Sequence, residues 1–193
     1  SALKIFKISL NSIMKKIFLL SLIITFGISQ YYALSFDGYD DYVQINFLDN
    51  FGVQNEISYE GSFRINGIPN EQHTRIFASD SFTGDRSLIS LKYDNYKFYL
   101  EYHHKGEGGN GLDLISEEIS PLEWITFAIT IDTYLSQILL YINGELQASS
   151  NAAQTISWNY NSFIGNTSTN SNIGFPGEIN NFRIWDIVLS EID

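Results

Sequence analysis

From Tyr31 onward, apolar and polar side chains alternate with a period of two, a spacing that suits strands rather than helices. Ile57, Tyr59, Gly61, Phe63 and Ile65 alternate with Ser58, Glu60, Ser62 and Arg64, which predicts a half-buried strand. Ile89, Leu91 and Tyr93 repeat the pattern against Ser90 and Lys92, and a turn at Asp94-Asn95 then leads into a strand over 96–102. Residues 125–131 alternate again, whereas 138–142 (Ile-Leu-Leu-Tyr-Ile) is almost continuously apolar, as expected of a central strand buried on both faces. Asn143-Gly144 follows directly and predicts a two-residue hairpin, because both turn positions must tolerate positive φ. Long polar loops are expected at 80–86, 104–111 and 166–174. Only Ser190, placed to cap Glu191-Ile192-Asp193, signals a helix. The chain shows no internal repeat and no interdomain linker. Many short strands separated by polar turns predict an all-β, two-sheet antiparallel sandwich.

The composition is compatible with that fold. Hydrophobic residues make up 44% and aromatics 15%, with only 3 prolines, enough apolar and flat surface to fill a strand-built core. There are no cysteines, so disulfides, thiolate metal sites and cysteine nucleophiles are excluded.

Residues 1–29 read as an N-terminal extension and leader. Met14-Lys15-Lys16 precedes an apolar run from Ile17 to Ile28, and Gly27 and Ser29 stand at −3 and −1 of a cut before Gln30. That is the anatomy of a secretory signal peptide, and the run is shorter than the roughly 20 residues a membrane span needs. Export to the cell surface or exterior is therefore expected, without membrane insertion after cleavage. The formal charge of the whole chain is −11. Residues 1–30 hold four lysines and no acid, so the part from 30 to 193 keeps seven basic against 22 acidic side chains, a net of −15. Such a surface repels phosphate backbones and argues against a nucleic-acid partner.

Three segments in order carry a resemblance. They are Ala33-Leu-Ser-Phe-Asp-Gly-Tyr-Asp-Asp-Tyr-Val43, then Trp124-Ile-Thr-Phe-Ala-Ile-Thr-Ile-Asp132 with Leu140-Tyr-Ile-Asn-Gly144. The third is Phe163-Ile-Gly165 leading to Gly177-Glu-Ile-Asn-Asn-Phe-Arg-Ile-Trp-Asp186. Together they resemble the laminin-G-like, pentraxin-related jelly roll of the concanavalin A-like lectin/glucanase superfamily, over residues 30–193. The resemblance implies a jelly-roll domain whose closing helix is only begun at Ser190, hence a truncated C-terminus and a larger multidomain chain. It also implies a recognition or adhesion module whose partner is a glycan or an extracellular protein. The alternative within the same architecture is a divergent glycoside hydrolase, or the accessory carbohydrate-binding domain of one. From the residues themselves, Trp124 and Trp185 are expected in or near the core. Asp37-Gly38 and Asp40-Asp41 are expected to mark a tight turn whose carboxylates accept backbone N–H groups, and Asp132 to end its strand by an Asx turn.

Hydrolytic relatives carry a Glu-x-Asp-x-x-Glu run, which supplies the two carboxyls about 5–5.5 Å apart that retaining hydrolysis requires. Here Glu-x-Asp occurs only at Glu191-Ile192-Asp193, and Glu178-Ile179-Asn180 lacks the aspartate. No catalysis is expected. His103 and His104 are adjacent, point to opposite faces of a strand and cannot share a metal. The resemblance to pentraxin-like relatives implies Ca²⁺ bound by acids of two loops. The first matches Asp80 and Asp85, whereas the second carries no acid, so half of the two-calcium ligand set is missing. The expectation reduces to a single Ca²⁺ held by Asp80, Asp85, the Asn166 amide and backbone carbonyls. For a sugar, the expected face is the polar side of the 96–102 strand, where Tyr99 shares a side with Lys97, Glu101 and His103. An exposed tyrosine there would stack on a pyranose ring while its neighbours bond the hydroxyls.

Overall fold

The computed structural model describes residues 32–46, 52–80, 86–106, 109–157, 161–167 and 172–190. Residues 1–30, where a leader and its cleavage site are expected, Asp85 and the segment after Ser190 lie outside these. The chain separates into Ser1–Tyr32 and a compact unit, Ala33–Asp193.

That unit is built from strands, with no helix among the described residues. In chain order they are β1 (Leu34–Asp37), β2 (Val43–Ile45), β3 (Val53–Gln54), β4 (Glu56–Ile65), β5 (His73–Asp80), β6 (Arg86–Asp94) and β7 (Lys97–Lys105). They continue with β8 (Leu112–Ile115), β9 (Ile125–Asp132), β10 (Gln137–Ile142), β11 (Glu145–Ser150), β12 (Ile156–Ser157), β13 (Ser162–Ile164) and β14 (Pro176–Trp185). Sheet I runs β1-β14-β4-β9-β10-β11 and sheet II runs β2-β13-β5-β6-β7-β8, with β3 and β12 paired separately. The named strand pairs are antiparallel. This is the two-sheet jelly-roll sandwich the sequence predicts.

The period-two pattern fills the space between the sheets. Ile57, Tyr59, Phe63 and Ile65 of β4 and Ile125, Phe127, Ile129 and Ile131 of β9 meet Ile89, Leu91, Leu100 and Tyr102 from sheet II in one buried cluster. Side chains of about this size each stabilise by roughly 1.5–3 kcal/mol on full burial. The expected hairpin is present: Ile142 pairs with Glu145, and Asn143 and Gly144 have φ of 51° and 82°.

Two strand assignments need correction. Residues 138–142 are not buried on both faces: Ile138, Leu140 and Ile142 enter the core, while Leu139 and Tyr141 face outward and are half-buried. β10 lies one strand in from the edge, and no layer covers its outer side completely. The turn expected at Asp94-Asn95 sits one residue later. Asn95 and Tyr96 take the positive φ values, Asp94 pairs with Lys97, and Tyr96 is 90% exposed at the tip. No helix among the described residues is long and apolar enough to cross a membrane.

Candidate functional site

The outer face of sheet II gathers the side chains singled out on β7. Register places His73 opposite Lys92 and Lys92 opposite Tyr99, then Arg75 opposite Ser90 and Ser90 opposite Glu101, with His103 opposite Asp113. Because alternation sends Phe98, Leu100, Tyr102 and His104 inward, Lys97, Tyr99, Glu101 and His103 share the outward side. Tyr99 is half-buried. Lys97 bonds Glu118 at 2.7 Å, and that hydrogen bond, more than the charge itself, raises its pKa. His103 Nδ1 lies 2.5 Å from an Asp113 oxygen, and a Cβ on Gly111 would come within 2.8 Å of the imidazole, so the glycine leaves room for that ring.

Glu101 departs from the expected solvent-facing position. It is only 8% exposed, because β7 lies between β6 and β8 and its outward carboxylate is hemmed in by neighbours on both sides. Its Oε2 is 3.0 Å from His73 Nδ1, close enough for an ion pair but not aligned as a hydrogen bond. His73, Arg75, Ser90, Lys92 and Asp113 also belong to this face and were not singled out from sequence. Arg75 Nη1 donates to Ser90 Oγ at 2.6 Å. The signal for Lys92 was in the hairpin: once the turn is placed at Asn95-Tyr96, counting back from it puts Lys92 beside Tyr99.

The two adjacent histidines do point apart. His104 is fully buried: Nδ1 is 3.2 Å from the Tyr102 hydroxyl, and Nε2 accepts the Gln154 backbone N–H at 3.0 Å. Burial pushes its pKa down to about 4, so the ring is neutral, with its proton on Nδ1 facing Tyr102. Ser87 Oγ continues the thread, 3.1 Å from Tyr102 Oη and 2.6 Å from Tyr59 Oη. Tyr59 belongs to sheet I, so this polar chain ties the two sheets through the core. Desolvation raises the pKa of both tyrosines and keeps them neutral donors.

Of the expected calcium ligands, Asp85 and the side chain of Asp80 lie outside the described residues. Asn166 is 1% exposed; its Nδ2 donates to the Tyr39 carbonyl at 2.8 Å and its Oδ1 accepts from Thr167 N–H at 2.7 Å. The amide thus anchors the 37–41 turn and retains only one Oδ1 lone pair for a cation. In that turn the carboxylates of Asp37, Asp40 and Asp41 lie within 4.8 Å of one another and are exposed. Asp37 accepts Tyr39 N–H at 2.8 Å and Asp41 accepts Asp37 N–H at 3.1 Å, the turn-forming role read in the sequence. Asp132 likewise caps its strand end, accepting Leu135 N–H at 2.9 Å.

The outer face of sheet I corrects the placement of both tryptophans. Trp124 is 40% and Trp185 37% exposed. Trp124 immediately precedes the inward Ile125, so alternation turns it out. In β14, Asn180 pairs with Ser62 but Arg183 with Glu60, a bulge with one extra residue centred on Asn181 (φ 52°). That residue reverses the facing of everything after it, sending Phe182 and Ile184 inward and Arg183 and Trp185 outward. Each tryptophan is held by an Arg–Glu pair. Arg64 lies 5.3 Å over the Trp124 ring and pairs with Glu178. Glu60 accepts both Arg183 Nη1 at 2.9 Å and the Trp185 indole N–H at 3.1 Å. Glu178, the central carboxylate weighed for hydrolysis, is therefore bound to a guanidinium. A groove of about 770 Å³ lies on this face, floored by Ala128, Thr130, Leu139 and Tyr141 and walled by Val188 and Leu189.

Among curated proteins, no sequence matches this chain. Solved structures do. The heptameric SAP-like pentraxin from Limulus polyphemus superposes with a TM-score of 0.62 at 14% identity, covering 81% of this chain and 76% of that one. The CBM40 of Ruminococcus gnavus IT-sialidase, bound to α2,3-sialyllactose, gives 0.62 at 13% identity, over 82% and 93%. The binding domain of botulinum neurotoxin serotype G gives 0.59 at 16% identity, over 86% of this chain and 46% of that one. At these identities the likeness is one of fold. A laminin-G-like family profile matches residues 37–193, and on that span the chain belongs to the concanavalin A-like lectin/glucanases superfamily.

Proposed function

We propose that this chain is a secreted or surface-attached recognition module that binds glycans without cleaving them, through the outer face of sheet II. The observation that carries the reading is the row His73–Lys92–Tyr99 beside Ser90 and Glu101, which sets an aromatic ring among hydrogen-bonding side chains on rigid strands. A sugar stacks an apolar ring face on a tyrosine and offers its hydroxyls to such neighbours. The kinds of structurally similar domains agree, since a carbohydrate-binding module and a toxin binding domain both occur among them. Non-catalytic action is supported by the lack of a complete Glu-x-Asp-x-x-Glu run and by the pairing of Glu178 and Glu60 with arginines. Calcium held by Asp80, Asp85 and Asn166 is the assisting ion in this reading.

Stacking on one tyrosine contributes about 1 kcal/mol beyond buried area, so a single site is weak and gains from multivalent display. On a glycan-coated surface the chain is expected to be retained, and Tyr99→Ala to lose retention at an unchanged melting temperature. Unaltered retention by that variant would remove Tyr99 from the site. Release of reducing sugar from the bound glycan would contradict the non-catalytic reading.

A further inference from the structure

Charge is distributed unevenly over the two sheets. Strands β5 to β8 carry Arg75, Arg86, Lys92, Lys97 and Lys105, five of the seven cations that follow residue 30, together with all three histidines. The same strands hold four acids, Asp80, Asp94, Glu101 and Asp113. These four strands therefore sum to +1, and the remaining positions from residue 30 onward, with two cations and eighteen acids, to −16.

The acids nearest the tyrosine each have a close neighbour on this side of the sheet. Glu101 is beside His73, Asp113 bonds His103 and Glu118 bonds Lys97. Among the described residues, Lys92 and Lys105 have no ion-pair partner, and both are half-buried. Lys92 is the direct cross-strand neighbour of Tyr99. Directly opposed side chains on one face stand about 4.5–5.5 Å apart at Cβ, so a ring stacked on Tyr99 brings its substituents to the Lys92 ammonium. The acids of sheet I do not cancel this field. Sheets pack about 10 Å apart, and the screening length at physiological salt is about 8 Å, so charges on the far outer face are largely damped.

We infer that the glycan recognised at Tyr99 bears an anionic group, which Lys92 binds with support from Arg75 on the adjoining strand. The inference rests on the glycan reading above and adds the sign of the ligand. A neutral glycan would leave the half-buried Lys92 without a partner, while an anionic one supplies the missing charge and forms a charge-assisted hydrogen bond. The domain's net −15 then acts as a filter, repelling polyanions in general while one face admits a carboxylated or sulfated sugar.

The test uses matched pairs that differ only in charge or in the acidic sugar: trigalacturonate and its methyl ester, 3′-sialyllactose and lactose, chondroitin sulfate and desulfated chondroitin. At least one anionic member is expected to bind about tenfold or more tightly than its neutral counterpart, with affinity falling as salt rises. The carboxylate and sulfate arms identify the group. Lys92→Gln should erase that preference, while Arg183→Gln on sheet I should keep it, with melting temperatures checked for both. Equal binding of neutral and anionic members would overturn the inference and leave the glycan reading standing. Selectivity retained by Lys92→Gln would overturn the assignment to Lys92. Binding of no member would overturn both.

Discussion

On sheet I, the outward side chains of β4 and β14 pair Arg64 with Glu178 and Arg183 with Glu60, and each pair fixes a tryptophan against the sheet. On sheet II, the outward side chains of β5, β6 and β7 leave Lys92 unmatched beside a half-buried tyrosine. Both faces mix aromatic and charged residues, and composition alone would rank sheet I first, since it has the tryptophans. The difference lies in what the charges already bind. An arginine committed to a carboxylate and an indole holds a surface in place. A half-buried ammonium without an anion is an incomplete contact, and a ligand can complete it.

The largest expected effect concerns the polar thread joining the two faces. His104 has a folded pKa near 4 against an ordinary value of 6.5. The unfolded chain therefore takes up the proton first. The stabilisation is complete above pH 6.5 and is lost as the pH falls from there through about 4, a contribution of about 3 kcal/mol at 1.36 kcal/mol per pKa unit. Denaturant titrations at pH 7 and pH 4 should show that loss, and His104→Gln should flatten it whatever it does to the baseline. An unchanged acid limb in the variant would mean that His104 is not the group responsible.

A smaller effect separates the faces themselves. Gly144→Val places a β-branched residue at φ 82°, where no neighbour within 4 Å obstructs a Cβ and only backbone strain acts. The expected loss is about 1–3 kcal/mol of stability. The β10–β11 edge belongs to sheet I, so glycan retention below the melting temperature should survive. If retention falls in step with stability, the two faces are not independent.

The strands and the hairpin were legible because alternation is local and each residue reports its own side. Alternation puts Tyr99, Lys97 and His103 on the outward side of β7, as the structure does. What failed were the features that depend on a neighbour. The bulge at Asn181 inverts Trp185 without altering the composition of its strand, and the one-residue shift of the Asn95-Tyr96 turn hides the pairing of Lys92 with Tyr99. Glu101 looks solvated on its own strand and is buried only because flanking strands crowd it. His73 and Arg75, on β5, reach the site through register across β6, which no spacing within one segment reveals.

The smallest expected effect concerns the loop at the end of sheet II. Millimolar Ca²⁺ should raise the melting temperature if Asp80, Asp85 and Asn166 hold an ion, the folded state gaining about 1.4 kcal/mol when calcium is about tenfold above its dissociation constant. Asp85→Asn should remove that rise. Asp41→Asn, in the other acidic turn, should not. The reverse outcome would move the ion to the Asp37–Asp41 turn, and equal responses would reduce the effect to general charge screening.

The central claim is that glycan binding belongs to the outer face of sheet II. Amide chemical-shift mapping tests it most directly, using whichever glycan of the matched panel is retained. Titration should shift the amides of Arg75, Ser90, Lys92, Tyr99 and Glu101 together, with one dissociation constant, and leave those of Thr126, Tyr141 and Trp185 in place. Shifts confined to Thr126, Tyr141 and Trp185 would contradict the account and assign binding to the opposite face.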